Sequence, residues 1–176
     1  RDLLATGDYV AGVVAASNMP VMLIPAIMFG VSAMLSFATG TSWGTFGILI
    51  PIIVSVCETA APELTVTALS AILAGSVFGD HCSPISDTTI MSSTGAGCAH
   101  IDHVSTQLPY SLTVASVCVV GYLVAGFSAG LGFGTSLLIT DVISLLLLAV
   151  LLLALPKIWS GEKKAVQKTP ALAAQK

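Results

Sequence analysis

The chain has 176 residues, 55% of them hydrophobic and only 9% charged, with a formal net charge of −3. Its mean hydropathy is +0.97. A water-soluble domain of this size needs far more charged surface, so the composition excludes that class and points to an all-α integral membrane protein. The net charge itself says little about partners beyond the lipid bilayer, and nothing in the sequence calls for nucleic acid.

The chain opens Arg1-Asp2-Leu3, without an initiator Met or a secretory signal. It reads as the C-terminal piece of a larger polytopic protein. Leu3–Ser17 is apolar, interrupted by Gly7, Asp8 and Gly12, and fits a helix fragment or an interfacial segment. From Tyr9 to Cys57 there is no Asp, Glu, Lys, Arg or His. A crossing needs about 20 apolar residues, so that run holds up to two. Met19–Ala38 is long enough to span. Thr39-Gly40-Thr41-Ser42-Trp43-Gly44-Thr45 interrupts, and Phe46–Cys57 resumes with only twelve residues. The pair is either a re-entrant hairpin or two helices meeting at a non-helical turn.

Glu58–Glu63 is a short polar loop containing Pro62. Leu64–Gly79 is slightly short for a span and Thr89–Cys98 shorter still. Joined through Asp80–Asp87, they make one crossing built from two half-helices. Ala99–Thr106 is expected to be a polar loop. Leu108–Ala129 and Thr135–Leu155 are full spans, and Asp141 lies inside the second, where an interfacial or cavity-facing role is expected. Residues 1–156 thus form the membrane domain. Residues 157–176 form a polar tail with five lysines, expected to be disordered and, by the charge rule, cytoplasmic. Gly75 and Gly79, and Gly126, Gly130 and Gly134, recur at a spacing that lets helices approach closely in lipid. The second set fits a glycine-rich loop equally well.

The stretch Gly79-Asp80-His81-Cys82-Ser83-Pro84-Ile85-Ser86-Asp87-Thr88-Thr89 carries the most chemistry. It places two carboxylates, an imidazole and five hydroxyl or thiol side chains between apolar segments. Nothing between Asp2 and Lys157 carries a fixed positive charge. Ionisable groups at membrane depth are costly and mark ion or proton paths. Pro84 stops a helix from running straight through. Backbone freed by such a break is tolerated only where it faces protein or a water-filled cavity. There it offers carbonyl and hydroxyl oxygens of the kind a small hard cation needs. The candidate ion- and proton-binding residues are Asp80, Asp87, Ser83, Ser86, Thr88 and Thr89, with Thr41 and Ser42 from the first break as an opposing wall. His81 is a secondary candidate, as a proton relay or a hydrogen-bonding support. Two carboxylates without a basic partner repel each other and resist desolvation, which favours a proton or a sodium ion on at least one.

Plainer roles exist for each. Asp87 or Ser86 can cap the helix starting near Thr89. Asp80 can sit in a wet vestibule, and the hydroxyls can simply satisfy backbone groups. Trp43 fits an interface anchor as well as a gate. His100-Ile101-Asp102-His103 lacks a fourth metal ligand and reads as a solvated loop. Cys57, Cys82, Cys98 and Cys118 match no metal or haem spacing and read as buried thiols. No Walker loop, nucleophile elbow or dinucleotide fingerprint is present, so neither an enzyme nor an ATP-driven pump is indicated, and no cofactor is called for beyond transported sodium and protons.

Gly40-Thr41-Ser42-Trp43-Gly44-Thr45-Phe46-Gly47 with Pro51, the Gly79–Thr89 stretch with Ser92-Ser93-Thr94-Gly95-Ala96, and His103-Val104-Ser105-Thr106-Gln107-Leu108-Pro109-Tyr110 together resemble signatures of the NhaC-type sodium/proton antiporter family. The resemblance covers roughly residues 30 to 115. It implies a secondary transporter with inverted repeats, of which this chain is most of the C-terminal one, completed by an N-terminal half. It implies Asp80 and Asp87 as ion and proton carriers, beside the Thr41-Ser42 turn, in a multi-pass protein of the cell membrane. The leading expectation is sodium/proton exchange. The alternative is a sodium- or proton-coupled organic-anion antiporter of the malate/lactate type, and a non-transporting scaffold or sensor is a third. Homo-oligomerisation is left open.

Overall fold

The computed structural model describes residues 19–173, together with Tyr9, Gly12 and Ala16, and side chains as far as Ala154. The rest of the Leu3–Ser17 segment lies outside the described residues. Among the described residues six α-helices follow one another: α1 Ile24–Thr39, α2 Ser42–Ala60, α3 Thr65–Cys82, α4 Asp87–Ala96, α5 His100–Ser128 and α6 Phe133–Ala173. Five segments among the described residues are long and apolar enough to cross a membrane; α4 is not among them. The protein is an all-α, multi-pass membrane protein.

Three expectations about element limits change. The Thr39–Thr45 interruption shrinks to Gly40 and Thr41. Gly40 closes α1 in the left-handed conformation (φ 68°) and Thr41 caps α2, its hydroxyl accepting the Gly44 N–H. The second limb is therefore a 19-residue helix, long enough to cross. The hydroxyls and glycines that read as a break are its first turns. Likewise α3, with the preceding 3-10 turn, is 21 residues, about 31 Å at about 1.5 Å per residue. It is long and apolar enough to cross alone, so the Asp80–Asp87 stretch ends a helix of crossing length rather than dividing one. The polar Ala99–Thr106 stretch is the start of α5, which is helical from His100. The backbone of α6 runs as helix to Ala173.

Small residues set the central packing. Gly75 lies against Phe29 O and Ser32 Oγ, and Gly79 against Ala33 O and Phe37 N; a β-carbon at either would overlap the α1 backbone. Ser36 Oγ donates to Ser76 O at 2.6 Å. Residue numbers rise together along these pairs, so α1 and α3 run parallel in close contact. The tight Gly40-Thr41 turn sends α2 back antiparallel to both. Below the turn these helices share a core of Ile24, Leu49, Ile53, Val56, Cys57, Ala68 and Ile72.

α5 packs antiparallel on α1. Gly126 sits against Met22 O, and Tyr122 stacks at a tilt on Phe29 with centroids 5.6 Å apart. α6 turns back along α5, joined by Ser128 and Ser136 hydroxyls 2.7 Å apart. Of the second glycine set, only Gly126 makes a close approach. Gly130 lies in a 3-10 turn and Gly134 opens α6, both facing open space.

Candidate functional site

The packing gathers four helix ends at one junction. The C-terminus of α1, the N-terminus of α2, the C-terminus of α3 and the N-terminus of α4 meet around Asp80. Three observations tie the two breaks together. Ser83 Oγ donates to Phe37 O at 2.8 Å, satisfying a carbonyl that the end of α1 leaves free. Gly40 is pressed so closely to the Ile85 carbonyl that a β-carbon would stand 2.9 Å from its oxygen. Ser42, the first residue of α2, reaches Asp80 itself.

Asp80 is 4% exposed. Ser86 Oγ donates to its Oδ1 at 2.6 Å and Ser42 Oγ donates to its Oδ2 at 3.2 Å. The Ser86 hydroxyl is fully used. Its one hydrogen goes to Asp80, so its lone pairs accept the Thr88 hydroxyl at 2.8 Å and the Thr89 N–H at 3.5 Å. Ser86 therefore caps α4 and holds the carboxylate with the same atom. One turn below Asp80, Ser76 Oγ is buried and has no hydrogen-bond partner among the described residues. The C-terminal ends of α1 and α3 each bring about half a negative charge to the junction, and the ends of α2 and α4 bring the opposite sign. With no Lys or Arg between Asp2 and Lys157, the side-chain charge is wholly negative.

The other expected residues fall into place unevenly. Ser42, Ser83, Ser86 and Thr89 are buried at the junction. Thr41 caps α2 and accepts the Thr45 hydroxyl through its carbonyl at 3.0 Å, one residue removed from Asp80's partner Ser42. Thr88 is exposed but tied to Ser86. Asp87 is exposed in the first turn of α4, its Oδ1 accepting the Thr88 N–H at 2.7 Å. That is the first helical position, next to the Ser86 cap, and among the described residues the two carboxylates share no hydrogen-bonding group. His81 is exposed, and its Nδ1 donates to Val77 O of its own helix at 2.9 Å. Trp43 points outward, 82% exposed.

Sequence reasoning missed His100. Its Nε2–H donates to Pro84 O at 2.7 Å, and its Nδ1 lies 3.1 Å from Ser93 Oγ. The imidazole thus braces the break from the first turn of α5. Only the shortness of the Gly97–Ala99 link could have signalled this, because it returns the chain to the break at once. Among the described residues no three His, Cys, Asp or Glu side chains group to hold a metal.

Chemically, the junction presents one shielded carboxylate held by neutral hydroxyls. It can take a proton, with Ser42 turning from donor to acceptor. It can also take a cation, with Ser42 turning its hydrogen away to present a lone pair and the Thr88 hydroxyl releasing one on Ser86. These features define a membrane protein with a buried, base-free acid at a meeting of helix ends.

Comparison with known proteins identifies the group. The chain belongs to the Na+/H+ antiporter family, whose model matches residues 1–127. The chain is 55% identical over 125 residues to an uncharacterized protein of Haemophilus influenzae, covering 71% of this chain and 24% of that protein. It is 39% identical over 101 residues to an uncharacterized Na(+)/H(+) antiporter of the same organism, covering 55% and 21%. It is 34% identical over 100 residues to the malate-2H(+)/Na(+)-lactate antiporter of Bacillus subtilis, covering 57% and 21%. The chain's matches thus span about a quarter of the length of these curated relatives, or slightly less. No solved structure matches it.

Proposed function

We propose that the complete transporter, of which this chain is a part, exchanges sodium for protons across the cell membrane by alternating access. Asp80 holds the sodium ion or the proton in turn. Ser42 and Ser86 supply hydroxyl oxygens, and Asp87 stands at the mouth of the site on the first turn of α4. The lysine-rich tail lies in the cytoplasm, as the positive-inside rule favours, and the remaining half of the transporter closes the far side of the junction. The observation that carries this reading is Asp80 itself, a 4%-exposed carboxylate with hydroxyls on both oxygens and no basic partner. At such an acid a proton and an alkali ion compete for the same oxygens. Asp80→Asn in the full-length protein, in vesicles, is expected to abolish sodium-dependent pH changes. Exchange at the wild-type rate, at normal protein level, would remove Asp80 from the mechanism.

A second reading keeps the same cation site but couples it to an organic anion. Two features favour it: the similarity to a malate/lactate antiporter and the helix N-termini of α2 and α4 at the junction, which suit a carboxylate group. Uptake of labelled malate or lactate, with and without sodium, separates the two. Sodium-dependent uptake selects the second reading, and sodium-driven proton flux without it selects the first.

A further inference from the structure

Away from the junction, α3, α5 and α6 enclose a cavity of about 310 Å³. On α6 it is lined by Phe133, Ser136, Leu137, Thr140, Asp141 and Ser144. Their spacing of three and four residues puts one face of the helix, and most of the polar side chains of its first three turns, toward the cavity. The opposite walls carry Ser70 and Tyr122, whose hydroxyls are 3.4 Å apart. Thr140 Oγ1 is buried and has no hydrogen-bond partner among the described residues. Asp141 stands eight residues into an otherwise apolar span, about 12 Å from its start at about 1.5 Å per residue.

We infer that this cavity is a second alkali-cation site, with Asp141 as its charge and the Ser70, Tyr122, Thr140 and Ser144 hydroxyls as neutral oxygen partners. A carboxylate within a membrane span needs a neutralising partner. Among the described residues no Lys or Arg side chain supplies it, since none lies between Asp2 and Lys157. The other titratable groups on the wall, Tyr122 and Cys118, are not cationic. One negative charge among neutral oxygens suits a singly charged ion, whereas calcium or magnesium draws on more carboxylates or on phosphate. At about 30 Å³ per water the cavity admits the ion with several waters. The site is separate from Asp80, because its α3 wall is formed at Val66, Thr67 and Ser70, about 15 Å along the helix from Asp80 at the rise already used. It does not depend on what Asp80 carries.

The test uses the purified full-length transporter. A carbodiimide labels carboxyl groups in apolar surroundings, and mass spectrometry reads Asp141 directly. Sodium is expected to protect Asp141, while choline at equal ionic strength does not. Protection is expected to persist in Asp80→Asn, so a failure of the Asp80 assignment leaves this result intact. Equilibrium binding of radioactive sodium should fall in Asp141→Asn, with half-saturation raised about tenfold, equivalent to about 1.4 kcal/mol, and return in Asp141→Glu. Labelling that sodium does not change, or that follows pH alone, overturns the proposal. So does unchanged sodium binding in Asp141→Asn. Because the labelling is read on the unaltered protein, a folding defect in the variant does not blur it.

Discussion

Asp80 and Asp141 are both acids in apolar surroundings without a basic partner, yet the chain treats them in opposite ways. Asp80 is enclosed where four helix ends meet, and serine hydroxyls occupy both its oxygens. Asp141 is exposed to a roomy cavity beside a threonine hydroxyl that has no partner among the described residues. The difference follows from how the walls are made. At the junction, Gly75 and Gly79 bring two backbones into contact. At the cavity, α6 meets α5 through side chains such as Ser144, and water fits between. A close-packed acid selects what it binds by fit, whereas a wet one concentrates cations with less discrimination. On this view the first suits the exchange step and the second suits the approach to it.

The largest expected effect separates the two acids. Asp80→Asn should lose sodium-dependent exchange by about 100-fold, the effect of removing a charged hydrogen-bonding centre worth about 3 kcal/mol. Asp141→Asn should leave the maximal rate largely intact and raise the sodium concentration needed to reach it. Initial rates across a sodium series in proteoliposomes give both numbers. Equal losses of maximal rate in the two variants would erase the distinction.

The glycines sharpen the same contrast at the level of packing. A β-carbon on Gly79 would run into the Ala33 carbonyl and Phe37 nitrogen, which belong to the α1 backbone and cannot move alone. A β-carbon on Gly121 would meet Ser144 Oγ at 2.8 Å, the mobile end of a side chain that can turn into the cavity. Gly79→Ala should therefore destabilise by about 1–3 kcal/mol, as overpacking does, and weaken sodium binding by moving α1 off the Asp80 loop. Gly121→Ala should be nearly neutral. Heat-unfolding midpoints in detergent check this, and a Gly121→Ala variant as unstable as Gly79→Ala would show that the α5–α6 contact is as tight as the α1–α3 contact.

Much of this was legible in the residues. Apolar runs marked the crossings, Pro84 among acids and hydroxyls marked the break, and Gly75 and Gly79 marked the close approach. What misled was polarity at helix ends. Ser42, Gly44 and Thr45 look like an interruption, but a hydroxyl at Thr41 starts a helix as readily as it ends one. His100, Asp102 and His103 look like a loop for the same reason, since a first helical turn favours acids and leaves its N–H groups free. The distinct positions of Asp80 and Asp87 could not be read from their seven-residue spacing. The turn at Ser83–Ser86 breaks the helical register and leaves one acid buried and the other exposed on the first turn of α4. The Asp141 cavity needs the register of three helices together, which no local pattern carries.

The smallest effects concern the two serines on Asp80, and they test whether the junction works through close fit. Ser86 donates at 2.6 Å and is itself held by Thr88 and Thr89, whereas Ser42 donates at 3.2 Å from the first turn of α2. Short hydrogen bonds to a charge are the stronger ones. Ser86→Ala removes such a bond and a helix cap together, a loss of about 1.5–3 kcal/mol for the bond alone, so sodium affinity should fall about 10- to 100-fold. Ser42→Ala should cost about tenfold or less by the same conversion. Half-saturating sodium concentrations for exchange in proteoliposomes give the order directly. If Ser42→Ala raised the half-saturating sodium more than Ser86→Ala, the α2 end rather than the α4 cap would govern the acid, and the junction would have to be understood as opening from that side.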